Sequence, residues 1–168
     1  MKSFAKALCS NKKNEKIPEA YDYFGTLIGE WDIEWNDHLD DTVPRRVKGE
    51  WIFSRVLDGT AVQDLFIVPS RAERLNNLQA DAEYGTTLRI YNPNTTAWDI
   101  FYGCTGSTFC LTAVKSDDEV VLTENREGKM RYIFSEITAD TFKWRKEYLN
   151  TDGYWTVAAM VTAVRRTL

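Results

Sequence analysis

From Trp31 onward apolar residues alternate with polar ones in short runs, the period-two pattern of strands with one buried and one solvated face. Trp31, Ile33 and Trp35 share one face of the first run, and Trp51, Phe53 and Leu57 share one face of the second. Residues 61–69 and 85–91 follow, then a run marked by Trp98, Ile100 and Tyr102, then residues 108–115, 119–124, 130–137, 141–149 and 154–164. The pieces between these roughly ten strands carry the Gly, Asn, Asp or Pro that tight turns require, as in Leu57-Asp58-Gly59-Thr60, Tyr91-Asn92-Pro93-Asn94 and Thr151-Asp152-Gly153. Short hairpins joining sequential strands predict an up-and-down antiparallel meander.

A meander of this many strands must deal with its edges, and closure into a barrel removes them. The expected fold is therefore an all-β, closed or nearly closed barrel of about eight to ten strands. A short helix over 18–28 is expected to precede it, because Pro18 suits a first turn, Tyr21, Phe24, Leu27 and Ile28 recur at helical spacing, and Gly29 suits the residue after a helix. Residues 1–17 form an N-terminal extension, with a marginal turn or two at most in the first nine and a loose polar piece over 11–16. The barrel spans 31–166, and the whole of 1–168 reads as one domain. One connection is long: 70–82 opens with Ser70-Arg71-Ala72-Glu73, a capping-box pattern, with Leu75 and Leu78 about a turn apart after it. It is either a surface excursion or a short lid helix at the barrel mouth.

Composition narrows the function classes. Lys plus Arg number 21 against 25 Asp plus Glu, a net charge of −4, so no overall positive field draws a phosphate backbone or an anionic lipid surface, and neither nucleic acid nor membrane is an expected partner. The longest apolar stretch, 157–164, is interrupted by Thr162 and is far short of the roughly 20 residues of a membrane-spanning helix. The first residues hold too few apolar side chains for a signal peptide, and the three cysteines are an odd count, which together make the cytoplasm the expected location. The last strand is apolar on both faces, with Val157, Ala159, Val161 and Ala163 on one and Ala158, Met160 and Val164 on the other. Something should cover its outer side, either the N-terminal helices or a second subunit in a homodimer.

Leu27-Ile28-Gly29-Glu30-Trp31 opens the first strand, and Gly29-x-Trp31 resembles the G-x-W signature of lipocalins and the wider calycin group. The chain also resembles bacterial lipocalin-like proteins of unknown function over about residues 20 to 166. That resemblance runs through Gly59-Thr60-Ala61-Val62-Gln63-Asp64, through 85–93 with Trp98, and through Phe134-Ser135-Glu136-Ile137-Thr138 leading to Phe142 and Trp144. It implies a lipocalin-like barrel in which Trp31 packs at the closed end beneath Arg165 or Arg166, a cation–π pair with a structural role. The usual lipocalin C-terminal helix is missing, so extracellular transport is not carried over. An intracellular barrel for a small ligand, similar in concept to fatty-acid-binding proteins, is the nearer analogy.

The aromatic fraction is 13%, and Trp31, Trp35, Trp51, Trp98, Tyr102, Trp144 and Trp155 all fall in strands, where such side chains either fill a core or line a pocket. Polar residues among apolar strand neighbours are the other candidates. Gln63 and Arg89 are such residues, and they sit in a satisfied internal network, meet a polar ligand group or face solvent; Arg145 and Glu147 alternate with Trp144 and Tyr148 and are expected to face solvent. The direction of the face carrying Gly85, Thr87, Arg89 and Tyr91 is left open by the pattern. Enzymatic machinery is scarce. His38 is the one histidine and sits in a polar turn, which excludes an imidazole-built metal site, and there is no Cys-x-x-Cys pair, no Gly-x-Ser-x-Gly elbow and no glycine-rich phosphate loop, so no metal and no cofactor is implied. Cys104 and Cys110 flank a hairpin turn and are expected as reduced, buried thiols, with a redox pair as the alternative.

The sequence thus points first to binding of a small, largely apolar or amphipathic molecule, with Trp35, Trp51, Tyr102 and Trp144 as walls and Gln63 or Arg89 as polar anchors, Arg89 toward an acidic group. The alternatives are a small-molecule enzyme, a cyclase, isomerase or hydrolase working in the same cavity, and a filled structural barrel with no ligand.

Overall fold

The computed structural model describes residues 3–167. A short helix α1 (Ser3–Leu8) and a two-residue strand β1 (Cys9–Ser10) come first. The alternating runs then become β2 (Gly29–Asp37), β3 (Arg45–Val56), β4 (Ala61–Val68), β5 (Glu83–Asn92), β6 (Ala97–Cys104) and β7 (Ser107–Ser116), followed by β8 (Glu119–Glu124), β9 (Met130–Ser135), β10 (Thr141–Leu149) and β11 (Trp155–Arg165). From β2 to β11 each strand pairs antiparallel with the next, and β11 pairs back onto β2. The result is a closed ten-stranded up-and-down barrel, the all-β class the pattern predicts. β1 pairs with Arg55 and Val56 at the end of β3, beyond the point where β2 begins.

The meander gives the barrel two unlike ends. Residues 11–28 lie across the end where β2 begins, and Ile17, Phe24 and Leu27 are buried there. Trp31 and Trp98 are fully buried at the same end, and their indole N–H groups donate to the backbone carbonyls of Leu27 at 2.7 Å and Tyr21 at 2.8 Å. Arg165 lies 4.1 Å from the centre of the Trp31 ring and donates to the carbonyls of Thr26 and Ile28, so of the two candidate arginines it is the one above Trp31. Arg166 instead reaches Glu30 and Asp32 on the outer side. Gly29 has φ of 131°, and a side chain there would run into the Arg165 guanidinium, which is why this position wants glycine.

Three expectations are corrected, and the open choice at 70–82 falls to the surface excursion. Residues 18–28 form no α-helix but two single 3-10 turns, Glu19–Tyr21 and Gly25–Leu27. So short a helix has little stability of its own, and seating Phe24 and Leu27 in the barrel end while Asp22 meets Arg55 at 2.6 Å fixes the backbone instead. Residues 70–82 form turns with no lid helix: the N–H of Arg71 is taken by the Glu50 carboxylate at 2.6 Å, and Leu75 and Leu78 find no apolar surface to cover. Cys104 pairs with Ser107 and Cys110 with Phe101, so the two thiols are not opposite one another, and Cys110 is exposed rather than buried. Arg145 and Glu147 do lie on the outer side, but Glu147 is buried beneath Arg131 and Arg145, with Arg131 stacked on Trp155. The outer residues of β11, among them Met160 and Val164, stay exposed, since residues 11–28 cover the barrel end instead. Among the described residues, no helix is long and apolar enough to cross a membrane.

Candidate functional site

Inward positions on β2 to β10 leave an interior space of about 290 Å³ that opens at the end opposite Trp31. This is near the lower limit of the roughly 300–1,000 Å³ usual for small-molecule pockets. Its wall is an almost continuous belt of rings. Tyr102 packs on Phe109 at 4.7 Å between centres, Phe109 stacks on Tyr132 at 6.0 Å and 10°, and Tyr132 stacks on Trp144 at 5.7 Å and 22°. Trp144 then meets Trp35 at 5.9 Å, and Trp35 meets Phe66 at 6.0 Å. The belt exists because each ring occupies an inward position of its own strand and neighbouring strands bring those positions into register. A wall of this kind offers an apolar aromatic surface to an apolar guest.

Beneath the belt lie Trp51 and Arg89. Arg89 is 1% exposed, and its Nη2 donates to Asp64 Oδ2 at 2.6 Å, while the other Asp64 oxygen accepts the backbone N–H of Thr87 at 3.0 Å. The guanidinium is cushioned by Phe24, Phe53 and Phe134, with ring centres 4.9, 5.4 and 5.9 Å away. The face of β5 whose direction the sequence leaves open therefore points inward, as Gly85, Thr87, Arg89 and Tyr91 are all buried.

The mouth is polar. Glu83 accepts a short hydrogen bond from the Tyr102 hydroxyl, with Cys104, Ser107 and Lys146 around the same opening. Burial pushes the Glu83 carboxyl above its usual range, against the opposing effect of the Tyr102 hydrogen bond. Burial also raises the Tyr102 phenol, with Cys104 and Glu83 adding to the shift. Tyr132 is raised in the same direction by burial and by its hydrogen bond to Glu124 at 2.8 Å. Arg45, at the start of β3, donates to Asp37, to Gln79 at 3.1 Å and to Asp81 at 2.8 Å. It thereby ties the returning end of the 70–82 segment to the β2–β3 hairpin beside the mouth.

The structure brings Trp35, Trp51, Arg89, Tyr102 and Trp144 together around one space. Gln63 is not among them: it lies on the outer face of β4, where its amide donates to the Thr86 hydroxyl at 3.0 Å. Sequence reasoning missed Asp64, Glu83, Phe109, Tyr132 and Lys146. For Asp64 a signal existed, because it shares its strand face with Val62, Phe66 and Val68. Lys146 likewise follows Phe142 and Trp144 at alternate positions.

No protein-family model and no curated protein matches the sequence. Solved structures do share the fold. The chain is similar to Rv2717c from M. tuberculosis, with a TM-score of 0.57 at 10% identity over 90% of this chain and 99% of that one. It is similar to the S-type phycobiliprotein lyase CPES from Guillardia theta, with a TM-score of 0.57 at 12% identity over 94% of this chain and 99% of that one. At these identities the likeness is one of fold, a closed antiparallel barrel.

Proposed function

We propose that this barrel binds a small, flat, largely apolar molecule between its aromatic belt and the Arg89 floor. The observation that carries the reading is the 290 Å³ space walled by a belt of aromatic rings and open at one end, which a barrel serving only as a structural element would fill. The fold shared with a phycobiliprotein lyase supports small-molecule binding at this coarse level. Membership in the bacterial lipocalin-like group, residence in the cytoplasm, and a homodimer through the outer face of β11 belong to the same proposal. Sedimentation velocity tests the last of these, with a dimer expected for the unmodified protein and a monomer for Met160→Glu.

Native mass spectrometry of the protein from its own host tests binding directly. A non-covalent added mass that disappears on denaturation is expected, as is quenching of tryptophan emission by N-phenyl-1-naphthylamine that weakens about tenfold in Trp144→Ala. A bare chain mass together with unchanged emission overturns the reading. An enzyme working in the same cavity is the second reading, and Glu83 favours it, because a carboxyl at the cavity mouth that is hydrogen-bonded to Tyr102 and raised by burial has the environment of a general acid.

A further inference from the structure

Buried hydrogen-bonding groups are almost always paired, so the exceptions inside the cavity carry information. Among the described residues, the buried side-chain atoms without a partner that belong to residues lining this space are Trp51 Nε1, Arg89 Nε and Arg89 Nη1. All three are N–H donors. Their residues are 4% and 1% exposed, and both side chains pack against Phe53 and Phe134, which puts the donors in one neighbourhood. The nearby Asp64 carboxylate does not serve them, since one of its oxygens takes Arg89 Nη2 and the other takes the Thr87 N–H. A donor left unpaired in a low-dielectric interior is costly, and an acceptor atom delivered by a guest removes that cost.

Which acceptor fits is decided by charge. Arg89 is fully neutralised by Asp64, which is itself 1% exposed, so the floor carries no net charge. A carboxylate would add an uncompensated negative charge to this interior, with a desolvation penalty that the pair no longer repays. A neutral oxygen satisfies the donors without one. The geometry points to a ligand that is an uncharged aromatic or conjugated carbonyl compound, its ring system against the belt and its carbonyl oxygen received by Trp51 Nε1 and Arg89. This assignment rests on the binding reading above and replaces the acidic ligand group that Arg89 suggests when Asp64 is not considered.

Three probes of one shape separate the possibilities: 2-acetylnaphthalene, 2-isopropenylnaphthalene, which replaces the carbonyl oxygen by a methylene, and 2-naphthoate, which carries the charge. Affinities are measured by titration, and the indole N–H resonance of Trp51, identified by its loss in Trp51→Phe, is followed by heteronuclear NMR. The ketone is expected to bind about tenfold or more tighter than the alkene and than the carboxylate. It alone is expected to move the Trp51 N–H signal downfield, and its advantage over the alkene shrinks in Trp51→Phe, which keeps an aromatic ring but has no N–H. Equal affinity for ketone and alkene, or tighter binding of naphthoate, overturns the carbonyl assignment and leaves the binding reading standing. So does failure of all three probes while N-phenyl-1-naphthylamine binds. Failure of all four overturns the binding reading, and the assignment falls with it.

Discussion

Arg89 and Asp64 form a buried pair whose members depend on one another: each is 1% exposed, and neither has a second charged partner. Removing one leaves the other as an uncompensated charge, so Asp64→Ala is expected to destabilise the fold by about 3–5 kcal/mol in urea unfolding. Gln63→Ala, one residue away on the outer face, is expected to change stability by less than about 1 kcal/mol. Glu83 behaves differently because burial raises its carboxyl above the unfolded value. Below the unfolded value, near pH 4.5, the carboxyl is protonated in both states; as pH rises through the raised folded value, ionisation in the buried setting erodes stability. Glu83→Gln is therefore expected to be stabilising at pH 8 and to lose that advantage at pH 4, which unfolding curves at the two pH values compare directly.

The segments at the two barrel ends are held by side chains and backbone groups that the strands present to them. At the mouth, Arg45 joins Asp37 on β2 to Gln79 and Asp81 of the 70–82 segment, while Arg71 anchors the other end of that segment on Glu50. The Glu50 carboxyl is held down to about 2 by Arg71, so this anchor persists across the ordinary pH range. Arg45→Ala is expected to speed tryptic cleavage after Arg74 about tenfold with little change in global unfolding, since the loop opens locally. At the closed end Gly59, with φ of 75°, lies directly beneath the Lys12 carbonyl, and its own carbonyl accepts the N–H of Asn14 at 3.1 Å. Gly59→Ala combines a disfavoured conformation with a clash against backbone. It is expected to cost about 1–3 kcal/mol in urea unfolding.

For the molecule as a whole, closure of β11 onto β2 turns ten separate alternating strands into one interior with a floor and a mouth. A guest in that interior binds the folded state alone. Ligand at about 100 times its dissociation constant therefore adds roughly 2.7 kcal/mol, and for a chain of this size the expected rise in melting temperature is about 5–10 °C. A thermal melt with 2-acetylnaphthalene checks this.

The period-two pattern and the turn residues were enough to determine the class, the strand order and nearly every strand, because inward and outward positions alternate locally and a hairpin pairs neighbours in sequence. Trp35, Trp51, Tyr102 and Trp144 were legible for the same reason, whereas the Trp31 seat beneath one of two arginines was what the resemblance around Gly29-x-Trp31 implied. The tertiary structure decided what depends on meetings between distant strands. Whether Arg89 points inward follows from barrel closure, and its neutralisation follows from the register of β4 against β5, which sets Asp64 opposite Thr87, two residues from Arg89. Whether 18–28 and 70–82 become helices was likewise settled by surfaces outside them: a barrel end that takes Phe24 and Leu27, and a Glu50 carboxylate that takes the N–H of Arg71. Local propensity is a weak force beside such contacts, and a single strand carries no record of the partner it will meet.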